Sequence, residues 1–246
     1  MIRILLTAFG LFLGFIGWSQ TTYYSVSTGN WNSAAVWDTD PAGAGGDGIP
    51  AEADSVVIQL GTTVTIPNNY GTAAHPGGAC VTGVPTAAGA DNFRNDGGVL
   101  IQTGGALVFT TSGSDHFILT GQNRILGSLT VGNRLYNYGE LVVESGATFS
   151  LGNDLALGLS SSTMINQALD LAAGDDIYLL GTGATLCGSG SISLGTAADQ
   201  LIQEYCGANK EDQFCLGFRF LMMALPEIPP RAPTPHYPCI LSTGRQ

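Results

Sequence analysis

A strand–turn–strand phrase returns four times along this chain. It appears as SVVIQLGTTVTI (Ser55 to Ile66), VLIQTGGALVF (Val99 to Phe109), ELVVESGATFSL (Glu140 to Leu151) and DIYLLGTGATL (Asp176 to Leu186). Each copy alternates apolar and polar residues, passes a glycine (Gly61, Gly104, Gly146, Gly183), and alternates again. Alternation with period two marks a half-buried strand. A shorter beat runs beneath it. Gly132-Asn133 and Gly152-Asn153 lie 20 residues apart, with Gly174-Asp175 another 22 further on. Leu129, Phe149, Leu169 and Ile192 follow at steps of 20, 20 and 23. Gly, Asn and Asp tolerate positive φ, so the spacing predicts one recurrent corner per coil. A single coil of short strands cannot bury its apolar side, whereas stacked coils bury a continuous core. The expected fold is all-β, a right-handed parallel β-helix (β-solenoid). A β-sandwich or jelly roll is the alternative, since it too strings short strands between turns.

The flanks of the repeat divide the chain. Arg3, then the apolar run Ile4 to Ile16, then Gly17-Trp18-Ser19 has the layout of a signal peptide, predicting export and cleavage after Ser19. That run is short for a membrane span, which takes about 20 apolar residues, and no later stretch predicts one. The expected segments are a signal peptide at 1–19, an N-terminal cap region at 20–53, the solenoid at 54–215 and an irregular tail at 216–246. The tail holds six of the eleven prolines, which cannot donate to a strand ladder.

Composition narrows the partners. Eight Lys and Arg stand against 19 Asp and Glu, a formal net charge of −11, with Lys210 the only lysine. That balance excludes a basic footprint for nucleic acid, and disfavours docking on anionic lipid or acidic sugars. Neutral glycans or other surface proteins are the expected contacts. The chain has five cysteines and no C-x-x-C, which weakens a zinc or redox reading. In an exported chain they can oxidise, and Cys206 with Cys215 is the pair expected to form a disulfide. Cys80, Cys187 and Cys239 are left unassigned.

The residues from Tyr23 to Ile66 carry a resemblance. Trp31 and Trp37, a Gly-rich loop, and then Asp54, Val56, Val57, Ile58, Gly61, Val64 and Ile66 are similar to the start of G8-type β-rich domains in exported Bacteroidota surface proteins. The resemblance implies an extracellular, repeat-rich, non-catalytic protein of the kind exported by the type IX route. Such cargo normally ends in a β-sandwich sorting domain, and nothing like one follows Cys215.

Candidate chemistry is thin. Ser114, Asp115 and His116 are the residue types of a hydrolase triad, but neighbours on a strand face opposite ways and cannot form a relay. Polysaccharide lyases and glycosidases also use solenoids, and a glycosidase needs two opposed carboxylates. Glu140, Glu144, Asp154, Asp170, Asp175 and Asp176 are the candidate acids within the repeat, and Arg94, Arg124 and Arg134 the arginines it offers. Ca²⁺ is a candidate at Asp38, Asp40 and Asp47, or at Asp175 and Asp176, which offer hard oxygen ligands without a recognised calcium-loop pattern. His75, His116 and His236 lack ligand spacing. Trp31 and Trp37 could stack a sugar ring, but the stronger expectation is that they close the open end of the first coil, where core and strand edges would otherwise meet water. The expected function is therefore a secreted or cell-surface structural or adhesive module, with a polysaccharide-acting β-helix enzyme as the alternative.

Overall fold

The computed structural model describes residues 20–71, 92–110, 116–158, 160–171, 176–194, 202–204, 214 and 219–222. The chain opens with β1 (Thr22–Ser25) and β2 (Gly29–Asn30), a 3-10 turn (Ala34–Val36) and β3 (Trp37–Asp38). Strands then arrive in threes. They are β4 (Ser55–Ile58), β5 (Thr63–Ile66) and β6 (Phe93–Asn95), then β7 (Val99–Ile101), β8 (Ala106–Phe109) and β9 (His116–Leu119). Next come β10 (Gln122–Ile125), β11 (Ser128–Val131) and β12 (Arg134–Asn137), then β13 (Glu140–Val143), β14 (Thr148–Leu151) and β15 (Leu155–Gly158). The stack continues with β16 (Ser162–Ile165), β17 (Ala168–Leu171) and β18 (Ile177–Leu180), then β19 (Thr185–Cys187), β20 (Ser191–Leu194) and β21 (Ile202–Glu204), and ends with β22 (Arg219–Met222).

Each member of a triplet joins a different sheet. The first face has the order β19-β16-β13-β10-β7-β4-β1-β3, the second β14-β11-β8-β5-β2, and the third β21-β18-β15-β12-β9-β6. A three-stranded sheet, β17-β20-β22, lies next to β14 and extends the second face. The named strands pair in parallel throughout, except that β3 runs antiparallel to β1. This is a β-solenoid, and the parallel coil-on-coil pairing rules out the sandwich. The repeat read in the sequence is the register itself: Leu129 stands opposite Phe149, and Leu169 opposite Ile192.

The core lies inside the coil. Val64, Leu107, Leu129 and Phe149 point inward from the second face, Ile58, Ile101, Ile125 and Val143 from the first, and Phe117, Leu135, Leu155 and Ile177 from the third. Buried asparagines bind one coil to the next at the corner leading back to the first face. Asn95 accepts from the Gly98 N–H and donates to the Asp54 carbonyl. Asn123 accepts from Val99 N–H and donates to the carbonyls of Gly121 and Glu140. These contacts satisfy backbone groups that a tight corner would otherwise bury unpaired.

Three details go beyond the pattern in the sequence. The ladder begins before residue 54, since β1 pairs with β4 and β2 with β5. It also continues past residue 215, since β22 pairs with β20. A two-residue strand is too short to carry a period, and a parallel strand need not alternate, so neither end was visible as alternation. The corner glycines also work differently from one another. Gly61, Gly104 and Gly146 have φ of 80°, 79° and 87°, as expected for turn glycines. Gly152 does not have positive φ. A Cβ there would run into the Gly132 carbonyl oxygen of the coil before. It is needed for close stacking, and Asn153 Nδ2 beside it donates to Asn133 Oδ1 at 3.1 Å.

Candidate functional site

The three faces present different chemistry outward, and the difference follows from which residues fill the alternate positions. On the first face the outward residues include Gln122, Arg124 and Glu140, all exposed. Arg124 donates to Glu144 at 2.8 Å across one coil. On the second face β5, β8 and β11 alternate half-buried with buried residues and β14 exposed with buried. Its outward positions form two rows: Thr63, Ala106, Ser128 and Thr148, and Thr65, Val108, Thr130 and Ser150. Both rows are uncharged.

The third face is unlike the others, because β9, β12, β15 and β18 are buried on both sides. Ile118, Tyr136, Ala156, Tyr178 and Leu180 form a second apolar cluster there, with Tyr138 packed against it. Beside it Arg134 Nε donates to Asp154 Oδ2 at 2.6 Å, and Nη2 donates to the same oxygen. The guanidinium lies 5.5 Å over the Tyr178 ring. The second Asp154 oxygen accepts the backbone N–H of Asp176 at 2.7 Å, and the Tyr178 hydroxyl donates to Asp176 at 3.4 Å. Burial works against the charge of Arg134, but Tyr136 and the Asp154 carboxylate outweigh it, and its pKa rises. Burial pushes the hydroxyls of Tyr136 and Tyr138 above the ordinary tyrosine value.

Trp31 and Trp37 are both buried, at 1% and 0% exposure. Their rings meet edge to face at 4.8 Å, and Trp37 Nε1 donates to the Trp31 carbonyl at 2.7 Å. Trp31 then meets Phe93 at 4.8 Å, which leads to Phe109 and Phe117. The indoles are thus buried at the first coil in contact with the core, which leaves neither ring open to stack on a sugar.

Of the candidate acids, Glu140 and Glu144 belong to the first face, and Asp154 and Asp176 to the third. His116 begins β9, with its backbone N–H bonded to Asn92 Oδ1, and Ser114 and Asp115 lie outside the described residues. Asp38 accepts the N–H groups of Asp40 and Gly45, Asp40 that of Ala42, and Asp47 that of Thr39. The Thr39 bonds lower the pKa of Asp47. These three aspartates shape a loop, and among the described residues no group of three or more His, Cys, Asp or Glu side chains is placed to hold a metal ion. Asp175, Cys206 and Cys215 lie outside the described residues, as do His75 and His236. Cys187, at the end of β19, is disulfide-bonded. The Arg134–Asp154 pair was not singled out in the sequence. Its signal was the spacing of 20 between the two residues, the period of the coil.

No protein-family model, curated protein or solved structure matches this chain.

Proposed function

We propose that the protein is an exported, non-catalytic structural or adhesive module of a cell surface, of the kind its N-terminal residues resemble. The observation that carries this reading is the second face, a regular array of uncharged outward residues held in register over four successive coils. A rigid stack of that kind suits contact with other surfaces. The arginines of β6, β10 and β12 support it: Arg94 pairs with Asp96, Arg124 with Glu144 and Arg134 with Asp154. These ion pairs tie neighbouring strands or turns and leave the cations committed to the fold.

A second reading, a solenoid enzyme acting on polysaccharide, is favoured by the gathering of Arg134, Asp154, Asp176 and Tyr178 on the third face. One experiment separates the two. The full chain is expressed in a bacterial host, fractionated, and its N-terminus sequenced. The purified protein is then incubated with neutral and acidic polysaccharides. The proposed function predicts recovery outside the cytoplasm, a chain starting at Gln20, and no new reducing or unsaturated ends. Retention in the cytoplasm with Met1 intact would contradict export. Turnover abolished by Asp154→Asn or Asp176→Asn would establish the enzyme instead.

A further inference from the structure

We propose that the second face, between β5 and β14, is a binding surface for the ordered face of an insoluble neutral polysaccharide. The proposal rests on the surface-module reading and names its partner. The outward residues stand in two parallel rows, Thr63–Ala106–Ser128–Thr148 and Thr65–Val108–Thr130–Ser150, with every neighbour fixed by ladder pairing. Strand spacing sets rungs about 4.8 Å apart, and alternate residues along a strand lie about 6.6 Å apart. The result is a regular grid of outward positions.

Three features of the grid select the partner. Among the described residues, none of the hydroxyls of Thr63, Thr65, Ser128, Thr130, Thr148 and Ser150 bonds to another protein group, so each can both donate and accept. No outward residue of the two rows is charged, so an anionic polymer gains nothing and a neutral one loses nothing. Ala106 and Val108 place apolar surface at the middle of the hydroxyls, which matches a sugar ring with its C–H faces and peripheral hydroxyls. A hydroxyl contact exchanged against water is individually weak. It becomes useful when many form at once from a preorganised array, because little freedom is left to lose. The β-branched threonines, stiff at χ1, and the hydrogen-bonded ladders beneath them supply that order. An insoluble polysaccharide repeats its hydroxyls along and across chains, so it can engage several rungs together, whereas a soluble monosaccharide engages one.

The test is depletion of the full chain from solution by microcrystalline cellulose and by chitin powder, with soluble alginate as the acidic comparison. The expected result is binding to at least one of the two solids and none to alginate. Thr65→Arg with Thr130→Arg places two cations outward on the grid and should weaken binding at least about tenfold. Gln122→Arg, exposed on the first face, should leave it unchanged. Thr65→Val with Thr130→Val removes only hydroxyls and should also weaken binding, which keeps the test open if the arginine variant misfolds. Failure to bind either solid, preference for alginate, or binding unaffected by both threonine variants would overturn the proposal. Binding to ice crystals with neither polysaccharide retained would overturn it too. None of these results bears on export or turnover, which are read separately.

Discussion

Trp31 and Trp37 hold the first coil to the core by packing and by one buried hydrogen bond. Truncating either should therefore cost more than its lost area alone. Trp31→Ala and Trp37→Ala are each expected to lower stability by about 3–5 kcal/mol in denaturant unfolding; a loss under about 1 kcal/mol would mean the indoles are not a cap. The Arg134–Asp154 pair behaves differently. Asp154→Ala leaves a buried cation and should cost about 3–5 kcal/mol, while Arg134→Met with Asp154→Leu should cost far less, because both charges leave together. A double-mutant cycle measures the difference. Tyr136 and Tyr138 give this region a pH signature. Their pKa values are raised by burial from the ordinary 10.0, so the fold favours their neutral forms. Stability from that preference is complete below about pH 10 and is lost as pH rises through the folded values. In alkaline titration the two rings should ionise together with unfolding, and independent ionisation in the folded state near pH 10 would contradict their burial. The tryptophans were legible because they precede the first strong strand phrase. The ion pair was legible only as a spacing, since nothing local distinguishes a buried Asp154 from a solvated corner aspartate.

At the scale of strands and turns, two kinds of glycine make opposite predictions. Gly146 has φ of 87° with nothing near its absent Cβ. Asn tolerates that backbone, so Gly146→Asn should be mild and Gly146→Ala should cost about 1–2 kcal/mol. Gly152 has ordinary φ but no room above Gly132. There Gly152→Ala and Gly152→Asn should both destabilise, by about 1–3 kcal/mol or more, as overpacking does. Thermal unfolding of the four variants checks the contrast, and equal tolerance of Asn at both sites would refute it. Sequence alone located both glycines through their period. It could not separate their roles, because a recurring glycine reads alike whether its φ or its close stacking requires it. Strand ends were less legible still. β2 and β3 are two residues each, and tertiary pairing, not pattern, makes them strands.

For the molecule as a whole, the period near twenty residues predicted the solenoid, because coils stacked in register must repeat their inward residues. It could not predict that one of three faces is buried outward as well as inward. The third-face strands place Ile118, Tyr136 and Tyr178 at positions that elsewhere carry Gln122, Glu140 or Thr130, and local alternation treats both patterns alike until the coil is closed. The central claim is that β5, β8, β11 and β14 form one parallel ladder, which places the grid residues on successive rungs. The direct measurement is a dipolar EPR distance between spin-labelled unnatural residues at positions 65 and 150, outward on β5 and β14. Three rungs at about 4.8 Å predict a backbone separation near 14 Å, and a narrow distribution consistent with that length after allowance for the labels supports the ladder. A broad distribution, or a distance beyond about 25 Å, well past three such rungs, would contradict it.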